Sequence, residues 1–242
     1  MIEFDWLLVA ALSCIALAGV TRGIVGFGAG MIIVTSLAVL YDPITGVIIL
    51  ALLDIPSAIQ LGPSIYRHTR WKIIFTLFLS ALPFIPLGVW VLSISEPELM
   101  RRLISLFVLA FALLNATGWR IRTTPNIATN LFVGGLSGFL TGVSALGGPP
   151  IILYFLSLGY PKDVFRSSTL TFLILSSFFA LIFYFVNDLI TLRHLYIFLL
   201  ATPIYLISIW FGTSIFKRVS EKKFRQIAII IIMLIALIGI FK

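Results

Sequence analysis

The sequence predicts an all-α integral membrane protein built from two inverted repeats. Apolar residues make up 60% of the 242 positions, charged residues only 11%, and the mean hydropathy is +1.15. A soluble domain carries about 25% charged residues, and a chain this apolar has too little polar surface to face water on all sides. Long apolar runs separated by short charged segments then predict membrane-crossing helices, because a helix satisfies its own backbone hydrogen bonds in lipid.

The net charge of +8 comes from 17 basic and 9 acidic residues. In a soluble protein this excess would suggest nucleic acid as a partner, but the basic residues are too few and too scattered to follow a phosphate backbone. Basic loops on the cytoplasmic side of a membrane explain the balance better. We therefore expect membrane lipid, and no nucleic acid, around this chain.

Eight apolar stretches organise the chain. Six are long enough for one span each, since about 20 helical residues cross a hydrocarbon core of about 30 Å. They cover residues 44–64, 71–92, 99–118, 164–185, 195–216 and 224–241. Two others, 6–40 and 128–158, are too long for one span. Glycines interrupt them near the middle, at Gly23, Gly26, Gly28 and Gly30 in the first stretch and around Gly142 and at Gly147–Pro150 in the second. We expect each of these to form a glycine-broken hairpin or a short helix pair, because non-helical backbone at membrane depth is tolerated only where it is buried in protein or lines a cavity.

The two halves of the chain, residues 1–122 and 123–242, resemble each other. Each begins with a glycine-broken stretch and continues with three spans. The segment Gly19-Val-Thr-Arg-Gly23 aligns with Gly134-Gly-Leu-Ser-Gly138, which places Ser137 opposite Arg22. Repeated landmarks in the same order predict a duplication.

The loop charges predict that the repeats are inverted. Placing the basic loops inside requires each broken stretch to return to the side it entered from, with both termini outside. The loop holding Arg67, Arg70 and Lys72 is then inside, whereas its counterpart at 187–193 is outside. Inverted repeats are typical of secondary transporters, whose sites lie near the midplane where the repeats meet.

Two charged residues, Arg22 and Asp54, fall inside predicted membrane segments. A charge at the bilayer centre costs at least about 2.5 kcal/mol, so each is a functional candidate by default. Arg22 would offer a planar set of five donors to an anionic substrate, or it would snorkel to an interface. Asp54 would exchange a proton, pair with Arg22, or cap the backbone next to Pro56.

The breaks themselves predict an anion site without a charged side chain. A helix that begins inside the membrane points its free N–H groups and the positive end of its dipole into the protein, and proline suits its first turn. We expect two such helix starts to converge, with hydroxyls nearby as further donors. The predicted substrate-binding residues are Arg22, Gly28, Ala29, Gly30, Ser144, Gly147, Gly148 and Pro149, and the secondary candidates are Thr21, Thr141, Gln60, Arg166 and Tyr154.

Enzyme and cofactor chemistry find little support in the sequence. The segment Gly26-Phe-Gly-Ala-Gly30 has no preceding strand of the kind a dinucleotide fingerprint needs. The chain has one cysteine, Cys14, no H-E-x-x-H segment, and no second intramembrane aspartate to pair with Asp54. We therefore predict no catalytic residues, no metal and no cofactor.

The two glycine segments also resemble a known family. R-G-I-V-G-F-G-A-G-M (Arg22–Met31) and L-S-G-F-L-T-G-V-S-A-L-G-G-P-P (Leu136–Pro150) are similar to the paired repeat signatures of TauE/SafE-type sulfite exporters, and the similarity extends through the whole chain. The resemblance implies a bacterial inner-membrane transporter of sulfite, sulfonates or related small anions, acting as an exporter coupled to a proton gradient. A passive anion channel or an uptake carrier for another small organic acid is the alternative.

Overall fold

The computed structural model describes residues 6–25, 28–117 and 126–216, together with Met233. All regular structure within these ranges is helical, as the composition predicts. The helices are α1 (Trp6–Val25), α2 (Ala29–Leu40), α3 (Pro43–Ile65), α4 (Trp71–Ala81), α5 (Phe84–Ile94), α6 (Pro97–Thr117), α7 (Ile127–Ser144), α8 (Gly148–Ser157), α9 (Lys162–Val186) and α10 (Leu192–Phe216), with one 3-10 turn at Tyr66–His68.

Five of the described helices, α1, α3, α7, α9 and α10, are long and apolar enough to cross a membrane. The predicted span 71–92 consists of α4 and α5, whose axes differ by 45°, and this bent pair would make a sixth. The bend lies at Pro83, which cannot donate the backbone hydrogen bond that would continue α4. The predicted span 224–241 lies outside the described residues.

The two broken stretches each consist of a long helix followed by a short one. In the first, α1 has 20 residues and α2 has 12; in the second, α7 has 18 and α8 has 10. The expectation of two short halves is therefore wrong for α1, whose length of about 30 Å matches a whole span. The helices also continue through Gly23 and Gly142, so these two glycines do not form the breaks.

The chain divides into two compact units. The first unit comprises Met1–Leu53, Ser95–Gly118 and Ile190–Lys242, and the second comprises Asp54–Ile94 and Trp119–Leu189. Each unit draws segments from both predicted repeats, so the packing units do not follow the predicted repeat boundary between residues 122 and 123.

In the first unit, α1 and α10 pack with their backbones in contact. A Cβ atom added to Gly23 would lie 2.4 Å from the carbonyl oxygen of Ile209 and 2.9 Å from Cα of Gly212. A Cβ added to Gly212 would lie 2.4 Å from the carbonyl oxygen of Val20. The glycines here serve close helix packing, as small residues do in membrane proteins.

In the second unit, α7 packs in the same way against α4 and α5. A Cβ on Gly142 would lie 2.1 Å from the carbonyl oxygen of Ile85 and 2.9 Å from Cα of Gly88. Nearer the start of α7, a Cβ on Gly134 or Gly138 would overlap atoms of α4. Gly134 and Gly138 therefore serve close helix packing as well.

The helix crossings in the two units have the same contact pattern. A Cβ added to Gly23 or to Gly142 would approach the same three groups on the neighbouring helix. These are Cα of a glycine, the carbonyl oxygen three residues before that glycine and the amide nitrogen one residue after it. Gly142 follows Gly23 by the same number of residues as the end of α7 follows the end of α1. The start of α8 follows the start of α2 by that number as well. This register differs by four residues from the sequence alignment and places Thr141, instead of Ser137, opposite Arg22.

Candidate functional site

The break between α1 and α2 depends on a glycine in the left-handed region. Gly28 has φ 89° and precedes the first residue of α2, Ala29. Such a backbone angle is readily available only to glycine. No side chain caps this helix start, and the N–H groups of its first turn have no acceptor within the helix. Ala29 is buried, so the positive end of α2 lies inside the protein.

Arg22 lies in the last turn of α1 and is only 4% exposed. Its Nη1 donates a hydrogen bond to the hydroxyl oxygen of Tyr205 on α10, at 3.3 Å. The snorkelling alternative requires an exposed guanidinium, so this burial argues against it. Tyr205 had no sequence signal, because only the packing of α10 on α1 brings it to Arg22.

The break between α7 and α8 is closed by backbone hydrogen bonds. Ala145 has φ 54°, its N–H donates to the carbonyl of Thr141 at 2.7 Å, and the N–H of Leu146 donates to the carbonyl of Leu140 at 3.3 Å. The bond from Ala145 is that of the αL motif, in which a residue in the left-handed region donates to the carbonyl four residues earlier, and this motif commonly ends helices. The helix α8 then begins at Gly148, which is buried.

The two helix starts offer different numbers of N–H donors. The first four N–H groups of a helix lack acceptors within it, and at α2 the cap Gly28 and the first three helical residues all carry one. At α8, Pro149 and Pro150 carry none, because proline has no backbone N–H. Only Gly147 and Gly148 remain as backbone donors at this break.

The three hydroxyls predicted as additional donors bond to their own helices. Each donates, at 2.8 Å, to the carbonyl four residues earlier. The residues are Thr21, Thr141 and Ser144, with the carbonyls of Leu17, Ser137 and Leu140. In this structure their hydrogens therefore point along the helix and not into the breaks.

Tyr184 on α9 is a residue of this region that the sequence reasoning missed. It is fully buried, and its hydroxyl donates to the carbonyl of Thr141 at 2.8 Å and lies 3.0 Å from the carbonyl oxygen of Gly142. The last carbonyls of a helix have no partner within it. Tyr184 therefore helps α7 to end inside the protein.

Asp54 is 3% exposed in the middle of α3. The hydroxyl of Ser177 on α9 donates to its Oδ2 at 2.5 Å. The backbone carbonyl of Asp54 accepts a hydrogen bond from the Ser57 hydroxyl at 3.0 Å, next to Pro56. The carboxyl group is thus held in a buried polar contact with α9, and a change of its charge would alter the hydrogen bond from Ser177.

The secondary candidates lie in different settings. Tyr154 on α8 is buried, and its hydroxyl donates to Oδ1 of Asn130 on α7, which ties the two helices of the broken stretch together. Arg166 is half-buried near the start of α9, and Gln60 is exposed on α3. Within the described ranges, no group of three or more His, Cys, Asp or Glu side chains could hold a metal ion.

Comparison with known proteins adds one match that covers nearly the whole chain. The family described as sulfite exporter TauE/SafE matches residues 11–238. Searches of curated proteins and of solved structures gave no match. Since the family match includes both helix breaks and the buried Arg22 and Asp54, the protein belongs to the sulfite exporter TauE/SafE family of membrane transporters.

Proposed function

We propose that this protein is a secondary transporter that exports a small anion, such as sulfite or an organosulfonate, across the bacterial inner membrane. The site lies at the two helix breaks, and a proton gradient drives the transport. The observation that carries this proposal is the burial of Arg22 in the last turn of α1, seven residues before α2 begins.

A buried guanidinium is costly in a membrane protein, and such residues usually mark a substrate or ion pathway. At the first break, Arg22 contributes a full positive charge and the start of α2 contributes the positive end of a helix dipole. Tyr205 fixes the guanidinium through one of its N–H groups. An oxyanion bound here would accept hydrogen bonds from both sources of positive charge.

The test of the anion site is saturable uptake of radiolabelled sulfite or a radiolabelled sulfonate into proteoliposomes. We expect Arg22→Gln to lower the initial rate at least about tenfold, because the glutamine has neither the charge nor the planar set of donors. Arg102→Gln is the matched control, since Arg102 is exposed on α6 and pairs with Glu98. Equal rates for Arg22→Gln and wild type would contradict the site, and non-saturating flux insensitive to pH would identify a channel instead.

The test of proton coupling is Asp54→Asn. We expect this variant to lose the stimulation of flux by an imposed pH gradient while it retains substrate exchange, because the amide cannot exchange a proton but can still accept the Ser177 hydrogen bond. Asp163→Asn, at an exposed position in the first turn of α9, serves as control. Gradient-driven flux that persists in Asp54→Asn would rule out this carboxyl as the coupling group.

A further inference from the structure

The second unit contains three buried hydroxyls that have no hydrogen-bond partner among the described residues. They belong to Ser137 on α7 and to Thr169 and Ser176 on α9, and all three side chains are at most 1% exposed. Buried polar groups are nearly always hydrogen-bonded, and an unpaired one requires an explanation. Other buried hydroxyls in the same helices, such as that of Thr141, donate to a carbonyl four residues earlier.

The face of α9 that carries Thr169 and Ser176 contacts the break between α7 and α8. A Cβ added to Gly148 would lie 3.6 Å from Cδ2 of Leu173, and the Tyr184 hydroxyl bonds to the carbonyl of Thr141. The spacing of residues 169, 173, 176 and 184 places them on one side of a helix with 3.6 residues per turn. Ser176 therefore lies between two residues that touch the break.

Ser137 approaches the same break from α7. A Cβ added to Gly147, the residue before α8, would lie 2.6 Å from the carbonyl oxygen of Ser137. Only a glycine fits at this distance, so the turn of α7 that carries Ser137 packs directly against the residue that caps α8.

The start of α8 lacks two of the backbone N–H donors that a helix start normally offers. Pro149 and Pro150 leave only Gly147 and Gly148 with N–H groups there, yet the dipole of α8 still favours negative charge at this end. Leu173 and Tyr184, two described side chains that contact the break, are neutral.

We propose that Ser137 and Ser176 form a neutral oxyanion-binding site at the start of α8, in which hydroxyls replace the N–H donors that the prolines lack. Its ligand is the sulfite or sulfonate group, whose oxygens accept hydrogen bonds. Thr169 lies seven residues before Ser176, about 10.5 Å along α9, which is too far for one small oxyanion to contact both hydroxyls. The inference rests on the proposed function and refines it, because the first break binds by the charge of Arg22 and the second by neutral donors. Ser176 also adjoins Ser177, which bonds to Asp54.

The first experiment measures sulfite transport and binding by single variants Ser137→Ala, Thr169→Val and Ser176→Ala. We expect KM and Kd for sulfite to rise about tenfold for Ser176→Ala, the size of effect typical of one hydrogen bond to a charged group, with a smaller rise for Ser137→Ala and no change for Thr169→Val. Melting temperatures should stay equal or increase, because no protein hydrogen bond is lost. Ser176→Thr keeps a hydroxyl and should restore much of the affinity.

Ser105→Ala is the matched control. Ser105 on α6 is also fully buried and makes no hydrogen bond with a described residue, but it belongs to the first unit. Its replacement should leave KM unchanged. Unchanged KM and Kd in both Ser137→Ala and Ser176→Ala would overturn the proposal.

The second experiment separates this site from the proposed transport of sulfite. In a Cys14→Ser background, Ser176→Cys should react with an anionic methanethiosulfonate sulfonate reagent at least about ten times faster than Ser105→Cys, and sulfite should slow the reaction. If wild-type protein moves no sulfite while the cysteine at 176 is still labelled selectively by the anionic reagent, the transport proposal fails and the anion site stands. Labelling no faster than at position 105 overturns the site.

Discussion

At the scale of single residues, the structure separates groups that the sequence treats alike. Arg22 and Asp54 stand out in the sequence because charge is rare inside apolar runs, and both are buried with specific hydroxyl partners. Hydroxyls give no such signal. Thr141 and Ser176 look equally plausible in the sequence, but one bonds to its own helix and the other to no described residue.

Tyr184 provides a stability test at this scale. Tyr184→Phe removes the donor that satisfies carbonyls at the end of α7, and we expect the free energy of unfolding to fall by about 1–3 kcal/mol, since those carbonyls stay buried. Denaturation in detergent, followed by the loss of helical circular dichroism, would measure this. Tyr196→Phe, at an exposed position on α10, is the control, and an equal effect of both substitutions would contradict the role assigned to Tyr184.

At the scale of helices, glycines have two different structural roles. Gly28 forms a break because its backbone angle is left-handed, whereas Gly23 and Gly142 lie within helices and allow backbone contact with a neighbour. The sequence shows only that glycines cluster. Which of them interrupts a helix depends on the backbone angles, and the αL motif after α7 uses Ala145 instead of a glycine.

Two glycines on different helices test the packing role. Gly142→Leu should abolish folding or lower the melting temperature strongly, because its Cβ would lie 2.1 Å from the carbonyl oxygen of Ile85. Gly62→Leu on α3 should be tolerated, because a Cβ there meets no atom within 4 Å and leucine favours a helix by nearly 1 kcal/mol over glycine. Size-exclusion profiles and thermal denaturation of both variants decide this, and comparable stability would refute the close contact.

At the scale of the whole molecule, the matching helix crossings in the two units support the predicted duplication. The same spacing separates the end of the long helix from the start of the short one in both broken stretches. The structural register differs by four residues from the sequence alignment, because glycines spaced four apart align equally well in two registers. Inversion of the repeats stays a prediction drawn from the loop charges.

Cysteine labelling of intact cells tests that inversion. In a Cys14→Ser background, Asn187→Cys should react with a membrane-impermeant maleimide from outside, whereas His68→Cys should react only after permeabilisation, because the basic loop near His68 is expected inside. Both positions are exposed. Labelling of both from the same side would contradict the inverted arrangement and the predicted placement of both termini outside.

The sequence by itself determined the helical membrane class, the approximate bounds of the described spans and the two buried charges. These follow from local properties, since hydropathy over about 20 residues and the cost of a charge in lipid need no knowledge of neighbouring helices. The tertiary structure alone decided the unequal lengths within each broken stretch and the roles of Tyr184 and Tyr205. It also decided that Ser137, Thr169 and Ser176 have no hydrogen-bond partner among the described residues. Those features depend on contacts between residues far apart in the chain, and the pattern of one helix does not specify which atoms another helix brings to it.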